Sequence, residues 1–405
     1  MSEWELVRLG DVTSQIQDVV KVAPGVEYPL LGVRWYAAGP FLREVVTSDN
    51  SKATRFYRAQ PGQFIYNRMF AWKGSFGLVN ADLDGSYVSN EFPLFECDAR
   101  LMPEFLKLHF GQPSVWAAIE RVSTGTTASR NRWKESQFGE YQVALPSRAE
   151  QRRIVDIIAA LDAHIDGLAR EVAKARHLLR CLLADHFESV AGDEIPIVDL
   201  CAHVIGGIWG SPEGESEVDV LALGPRIYSP GTADFVTDGS PMRSFSRKQV
   251  EPRQVQPNDI VLERSGGSPE QPVGRVVIAG EGLPPCVPTD FQRLIRPDAE
   301  KIDPRYLFWR LQHDWNSGIT RAFSRRTTGI TNLSVKEYIA RQVPVPDHAV
   351  QAMVISSFNA VALSIDAAEA ERICLRNFRS SILAALLNQE IEIPESYDAL
   401  LEAMS

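Results

Sequence analysis

The chain has 405 residues, enough for two or three domains of roughly 100 to 200 residues each. With 44% hydrophobic and 23% charged residues, 27 Gly and 25 Pro, it is neither a disordered nor a collagen-like polymer. The net charge of −10 argues at first sight against a nucleic-acid partner, but residues 347–405 alone hold 9 acidic and 3 basic side chains, whereas residues 1–149 balance at 16 of each.

The N-terminus shows no basic stretch ahead of an apolar run, and about 20 apolar residues never follow one another, so neither an export signal nor a membrane span is expected. Cys97, Cys181, Cys201, Cys286 and Cys374 are scattered and never spaced C-x-x-C. That pattern suggests neither a disulfide framework nor a zinc site, and a reducing cytoplasm is the simplest assignment.

Residues 4–146 read as short strands and turns: Gln63-Phe64-Ile65-Tyr66 and Gly77-Leu78-Val79 are apolar runs bounded by Gly, Pro, Asp and Ser, with a helix predicted over 103–110. Three segments carry bases and contain no acid. Gly32-Val33-Arg34-Trp35-Tyr36 offers one arginine beside two rings equally suited to packing. Asn67-Arg68-Met69-Phe70-Ala71-Trp72-Lys73 interleaves Arg68 and Lys73 with aromatics. The third and most pointed segment, 121–134, holds Arg121, Thr126, Thr127, Arg130, Asn131, Arg132 and Lys134 and no acid.

After Pro146 the texture changes. Ile154, Ile158, Leu161, Ile165, Leu168, Val172, Ala175, Leu179 and Leu182 alternate steps of four and three, the seam of a heptad helix. A helix over 150–187 would be about 57 Å long at 1.5 Å per residue, and its stripe needs a partner helix of similar length.

Residues 193–346 return to strands, such as Arg275-Val276-Val277-Ile278-Ala279, with a helix over 304–312. Much of the first half recurs in order. Gln142-Val143-Ala144-Leu145-Pro146 answers to Gln342-Val343-Pro344-Val345-Pro346, Gln60 through Ile65 to Gln256 through Val261, Asn67-Arg68 to Glu263-Arg264, and Val88 through Phe92 to Val287 through Phe291. Preserved order at an offset near 200 residues reads as a tandem duplication. The counterpart of the first basic loop is 321–336, with Arg321, Arg325, Arg326, Thr327, Thr328, Asn332 and Lys336 and again no acid; Arg264 is the counterpart of Arg68. Arg and Lys neutralise phosphates, Arg forks onto guanine, and Thr and Asn add hydrogen bonds, so two such loops at equivalent places suit duplex DNA.

A second seam follows through Val354, Phe358, Val361, Ile365 and Ala368 to Leu375, Phe378 and Ile382. Arg372 and Arg379 interrupt it, so the stripe either rotates toward Ile373 and Phe378 or carries a polar patch. The predicted architecture is two α/β units, each feeding a long helix, with the helices packed side by side as a rod.

Signatures of catalysis are missing: no Asn-Pro-Pro-Tyr type pocket, no G-x-x-x-x-G-K-[ST], no H-E-x-x-H and no G-x-S-x-G. Gly206-Gly207-Ile208-Trp209-Gly210 lacks the context of a dinucleotide loop, and His313-Asp314 has no serine placed by motif, which favours a surface or helix-end histidine.

With these residues in view, the sequence resembles the specificity subunit of type I restriction-modification systems from Trp4 to about Gln389. The resemblance rests on Leu145-Pro146 leading to Glu150-Gln151-Arg152-Arg153-Ile154-Val155, on Gly125-Thr126-Thr127 with Arg130-Asn131-Arg132, and on Val88-Ser89-Asn90-Glu91-Phe92-Pro93. The second junction departs from the pattern, with Val350-Gln351-Ala352-Met353. The resemblance implies a fold of α/β (α+β) target-recognition domains in tandem, joined by two long helices packed as an antiparallel coiled coil, with a pseudo-twofold internal repeat. It divides the chain into a first recognition domain (1–149), a central helix (150–192), a second recognition domain (193–346), a distal helix (347–390) and an acidic tail (391–405). It also implies a non-catalytic subunit that reads a split asymmetric site in double-stranded DNA and directs adenine methylation and restriction by others. The expected partners are modification subunits, two in number, and a restriction subunit, with no membrane involved; S-adenosylmethionine, ATP and Mg belong to those subunits, with no cofactor or metal on this chain. Two other readings are weighed against it, a coiled-coil scaffold that never touches DNA and a nuclease acting alone.

Overall fold

The structure, a computed structural model, describes residues 4–123, 132–228, 237–267, 271–327 and 330–399, the side chain of Thr327 excepted. Contacts divide it into two units. One joins the chain up to Ile165 with the stretch from Cys374 onward, and the other is Asp166–Ile373.

In the first unit the run Phe64–Tyr66 is an interior strand of an antiparallel sheet ordered Thr13–Ile16, Leu94–Cys97, Phe64–Tyr66, Phe76–Leu78. Strand alternation explains why all three of its residues are apolar. Phe64 and Tyr66 face an aromatic core with Phe76, Phe95, Phe110 and Phe138, while Ile65 faces a second cluster with Leu31, Val33 and Leu94. Tight ring packing holds that aromatic core together, as where the Phe95 and Phe138 centroids lie 4.1 Å apart. A five-stranded sheet, Val19–Lys21, Arg55–Arg58, Tyr87–Val88, Tyr28–Val33, Pro40–Val46, completes the unit's strands together with the antiparallel pair Glu5–Arg8 and Gln142–Leu145. Ile154 and Leu386, one from each long helix, enter the aromatic core.

The second unit has an antiparallel sheet ordered Cys201–Gly206, Gln292–Pro297, Ile260–Glu263, Val276–Ile278. Alternation sends Ile260 and Leu262 to one cluster and Val261 to another. A three-stranded sheet places Val218–Leu223 between Met242–Phe245 and Cys286–Pro288, and Asp193–Pro196 pairs with Gln342–Val345. Helix Pro304–Asn316 starts where the Asp303 carboxylate accepts the N–H of Arg305 at 2.8 Å. The glycine-rich run is explained by packing: a Cβ on Gly207 would overlap the backbone carbonyl of Thr289. His313 is a helix-end residue but not a surface one; it is buried 5.6 Å from the Phe187 ring, and burial lowers its pKa.

The two long helices are Arg148–Ser189 and His348–Leu387. On the first, the expected seam is buried at Ile154, Ile158, Ile165, Leu168 and Val172, but beyond Val172 the deeply buried residues are Leu183 and Phe187 rather than Ala175, Leu179 and Leu182. A 3.6-residue turn drifts against a 3.5-residue repeat, so the stripe moves around the helix as it enters the second core. On the second helix Ile355, Phe358, Ala362 and Ile365, then Leu383 and Leu386, are buried, while Ile373 and Phe378 stay exposed. The stripe therefore does not rotate toward Ile373 and Phe378; polar partners fill the gap. Within the first unit the Arg379 guanidinium donates to the Asp162 carboxylate at 2.8 Å, and within the second Arg176 pairs with Glu369 at 3.0 Å.

Among the described residues His348–Leu387 is long and apolar enough, by length and composition only, to cross a membrane, although no run of about 20 apolar residues occurs in it. Its apolar residues are spent elsewhere, since Ile355, Phe358 and Ala362 lie in the second unit's core.

Candidate nucleic-acid interface

In the first unit, strand Phe64–Tyr66 delivers Asn67 and Arg68 to its end. Backbone bonds fix them there: Arg68 donates its N–H to Glu91 at 3.0 Å, and its carbonyl accepts the N–H of Trp133 at 3.0 Å. The Trp133 ring is buried against Tyr66, Phe76 and Phe138. One residue of the long basic segment is thus a core anchor, and it brings the neighbouring Arg132 and Lys134 to the patch that begins at Arg68. The described end of the 121–134 segment therefore adjoins the patch at Arg68.

Two of its guanidiniums are already engaged. The Arg68 guanidinium pairs with Glu135, and Arg132 forks onto Glu91 through Nε at 3.2 Å and an Nη at 3.0 Å. Arg121 is exposed and donates Nε–H to the Ala117 carbonyl at 3.2 Å. Lys134 is exposed, its N–H given to Gln137 Oε1 at 2.9 Å at the start of helix Glu135–Glu140. Lys73 sits 3.9 Å from the Trp35 ring centre and 4.9 Å from that of Trp72, a cation over aromatic faces. Thr126, Thr127, Arg130 and Asn131 lie outside the described residues.

Beside Arg68 lies a small cleft lined by Gln15, Gln17, Tyr57, Arg68, Asn90 and Phe92. These amides and the phenol are suited to reading base edges. The sequence reading did not nominate Gln15, Gln17 or Tyr57; the alternation of Gln15-Ile16-Gln17 at a strand end was the available signal.

In the second unit the described part of the basic loop is a pair of antiparallel strands. Ser324–Thr327 pairs with Ile330–Leu333, and the latter pairs with Ser265–Gly266. Again a backbone bond joins the two segments, the Leu333 N–H to the Arg264 carbonyl at 2.7 Å. Asn332 stands opposite both Arg325 and Ser265, and its Oδ1 accepts the Ser265 hydroxyl. Strand geometry separates the paired arginines, because consecutive residues project to opposite faces. Arg325 is exposed and bonds Glu337 at 2.9 Å, and Arg326 is exposed as well. Arg321 and Lys336 are also exposed. Thr328 and the side chain of Thr327 lie outside the described residues.

One base escaped the sequence reading. Arg293, on strand Gln292–Pro297, has its pKa lowered first by burial and then by the charge of Arg264. Two guanidiniums that repel each other concentrate positive potential, which an anion relieves. Nothing in the sequence around Arg293 marks it, since its closeness to Arg264 arises from strand pairing.

On helix Pro304–Asn316, Asp314 is fully buried. It accepts the Tyr338 hydroxyl at 2.9 Å, pairs with Arg341, and lies 3.3 Å from the Arg310 guanidinium. Its partners make it a structural carboxylate. Among the described residues no group of three or more His, Cys, Asp or Glu is placed to hold a metal ion.

No family model and no curated protein sequence matches the chain. Solved structures do. A chain from a study of complex assembly and conformational transition of the type I restriction-modification system is 17% identical, with a TM-score of 0.60 over 96% of this chain and 98% of that one. The S subunit of a type I restriction-modification system from M. genitalium is 13% identical, with a TM-score of 0.56 over 95% of this chain and 96% of that one. Over nearly its whole length, then, the chain shares the fold of type I restriction-modification S subunits.

Proposed function

We propose that this chain is the DNA-reading specificity subunit of a type I restriction-modification complex. In this reading residues 1–149 and 193–346 are recognition domains that each contact one half of a bipartite asymmetric site, and the remainder spaces them. The observation that carries it is the repeated construction of the basic surface: in each unit the end of an interior strand, at Arg68 and at Arg264, is bonded through its carbonyl to the segment that carries the other bases. Matching sheet orders in the two units support descent from a tandem duplication. The Arg379–Asp162 and Arg176–Glu369 pairs support an antiparallel coiled coil of residues 150–192 and 347–390, with 391–405 as a tail.

Two readers on one frame gain by linkage, because once one half-site is held the other binds as an intramolecular event. The bases now paired to Glu91, Glu135 and Glu337 exchange those carboxylates for phosphates or base edges, which also penalises misplaced DNA. Methyl transfer and cleavage are assigned to partner modification and restriction subunits in the cytoplasm, together with S-adenosylmethionine, ATP and Mg. A scaffold without DNA readout leaves the paired basic surfaces unexplained.

Methylation mapping of the host genome with the gene present and deleted tests the proposal. A split methylated motif that disappears on deletion, and that Arg325→Ala with Arg326→Ala erases or alters in one half only, is the expected result. An unchanged methylation pattern in both strains would overturn it.

A further inference from the structure

The hairpin between Tyr28–Val33 and Pro40–Val46 ends in a tip that the basic-loop reading does not use. The tip is closed by the Arg34 N–H on the Gly39 carbonyl at 3.0 Å. Within it Tyr36 and Ala37 have φ of 57° and 55°, left-handed values that strain an L-residue. Two backbone bonds hold the strain in place, the Tyr36 N–H to the Lys73 carbonyl at 2.8 Å and the Ala37 N–H to the Gly74 carbonyl at 2.7 Å. Gly74 permits the approach: its own φ is 72°, and a Cβ there would overlap the Trp116 ring.

This construction displays aromatic rings in solvent. Tyr36 is 68% exposed and Trp35 41% exposed, Trp35 is braced on Phe70 at 5.3 Å, and Tyr36 lies 6.0 Å from Trp116. A strained backbone that buried its rings would need no explanation beyond packing; one that exposes them asks for a partner. The surroundings are cationic, with the Lys73 ammonium over Trp35 and Arg34 exposed beside it. Trp116 packs on Gly74, next in sequence to Lys73, so the rings lie beside that base. A flat π face bordered by cations, fixed before binding, is complementary to a nucleobase flanked by phosphates.

We infer that the Trp35–Tyr36 tip is a base-contacting wedge, in which the Tyr36 ring packs against a nucleobase of the half-site read by the first unit. The inference rests on the DNA-reading proposal and adds a residue to it. Tyrosine loses little side-chain freedom on binding, and the prefixed backbone lowers the ordering cost further.

The full chain, co-purified with its modification subunits, selects its own site from a pool of randomised duplex DNA, and variants are titrated against that duplex. Tyr36→Ala and Tyr36→Gly are expected to weaken binding by about five- to a hundredfold, the range of one base–aromatic stack. Tyr36→Phe keeps the ring and should stay within about threefold. The slope of log affinity against log salt is expected to be unchanged, because no phosphate contact is removed. Glycine relieves the left-handed strain, so Tyr36→Gly is expected to melt no lower than the parent protein, which separates a lost contact from a lost fold. Unaltered affinity and site choice in both ring-less variants, with Arg325→Ala and Arg326→Ala still impaired, overturns the wedge and leaves the DNA reading standing. Release of a modification subunit with unaltered DNA affinity overturns it in favour of a protein contact. A parent complex that enriches no duplex at all sinks both.

Discussion

The carbonyl of Arg68 accepts the N–H of Trp133 at 3.0 Å, across 65 residues of sequence, and the buried Trp133 ring locks that bond to the aromatic core. A surface that has to hold bases at fixed positions is thereby tied to the most rigid part of its unit. Trp133→Ala removes the anchor and is expected to cost about 3–5 kcal/mol, the range for deleting a buried large aromatic. Trp133→Phe, which keeps a ring in place, is expected to cost distinctly less. Denaturant unfolding gives the energies. Amide exchange at residue 133 gives the mechanism, with protection expected in the parent and in Trp133→Phe and lost in Trp133→Ala while the rest of the core stays protected.

Gln151 and Gln351 each stitch a long helix to its unit. The Gln151 side chain accepts the Met102 N–H at 2.7 Å and donates to the Pro146 carbonyl at 2.9 Å; Gln351 accepts the Asp303 N–H at 2.9 Å and donates to Pro346 at 2.8 Å. Both side chains are buried, so truncation leaves backbone groups without partners, at about 1–3 kcal/mol each. Gln151→Ala and Gln351→Ala are expected to be similarly destabilising by denaturant titration, and Gln→Glu at either place worse still, because a carboxylate cannot donate to the proline carbonyl. Equal tolerance of alanine and glutamate would mean that these bonds contribute nothing.

This pair also shows what the sequence made legible. Gln151 and Gln351 were visible as part of a repeated junction, and the sheet strands and long helices followed from alternation and from steps of three and four. Beyond Val172 the heptad count finds Leu179 and Leu182, which pack at the edge of the second core, but not Leu183 and Phe187, which the drift carries inside it. Arg379 looked like a defect in the stripe; Asp162, which pairs with it, lies 217 positions away in sequence. Of the nominated bases, Arg68, Arg132 and Arg325 are paired to Glu135, Glu91 and Glu337, and only Glu337, 12 positions from Arg325, is near its partner in sequence. Arg293 and the exposed face of Tyr36 depend on strand pairing and backbone conformation, which composition does not encode.

The buried Asp314 joins two arginines and a tyrosine in the second unit. Removing one member of such a set leaves charge stranded out of water, at a cost of about 3–5 kcal/mol. Asp314→Ala is therefore expected to destabilise by about that amount in denaturant unfolding, and to loosen Val335–Ile339, the short helix that holds Tyr338, as seen by amide exchange. Asp314→Asn keeps the shape and the acceptor for Tyr338 but not the charge. It is expected to fall nearer to alanine than to the parent, and near-parental stability would assign the network's contribution to hydrogen bonding rather than to ion pairing.

His109 should shape the acid limb of stability. Burial pushes its pKa down from 6.5 to about 4, and its Nε2 lies 3.1 Å from the Tyr141 hydroxyl, on a helix whose Phe105, Leu106 and Phe110 are core residues. In the unfolded chain the imidazole takes its proton near pH 6.5, whereas in the fold it stays neutral until about 4. Over that window the unfolded state binds more protons, so the contribution is fully present above about pH 6.5 and is lost as the pH falls through the folded value. Replacing His109 with Gln, which keeps a polar group for Tyr141 but does not titrate, is expected to flatten the pH dependence of the unfolding free energy between pH 7 and pH 4 even if it lowers stability at neutral pH. His313, also lowered by burial, acts in the same direction in the second unit, so the flattening is expected to be partial in either single variant and larger in the double variant. A pH profile unchanged by His109→Gln would mean that this imidazole is solvated, and protonates, in the folded chain.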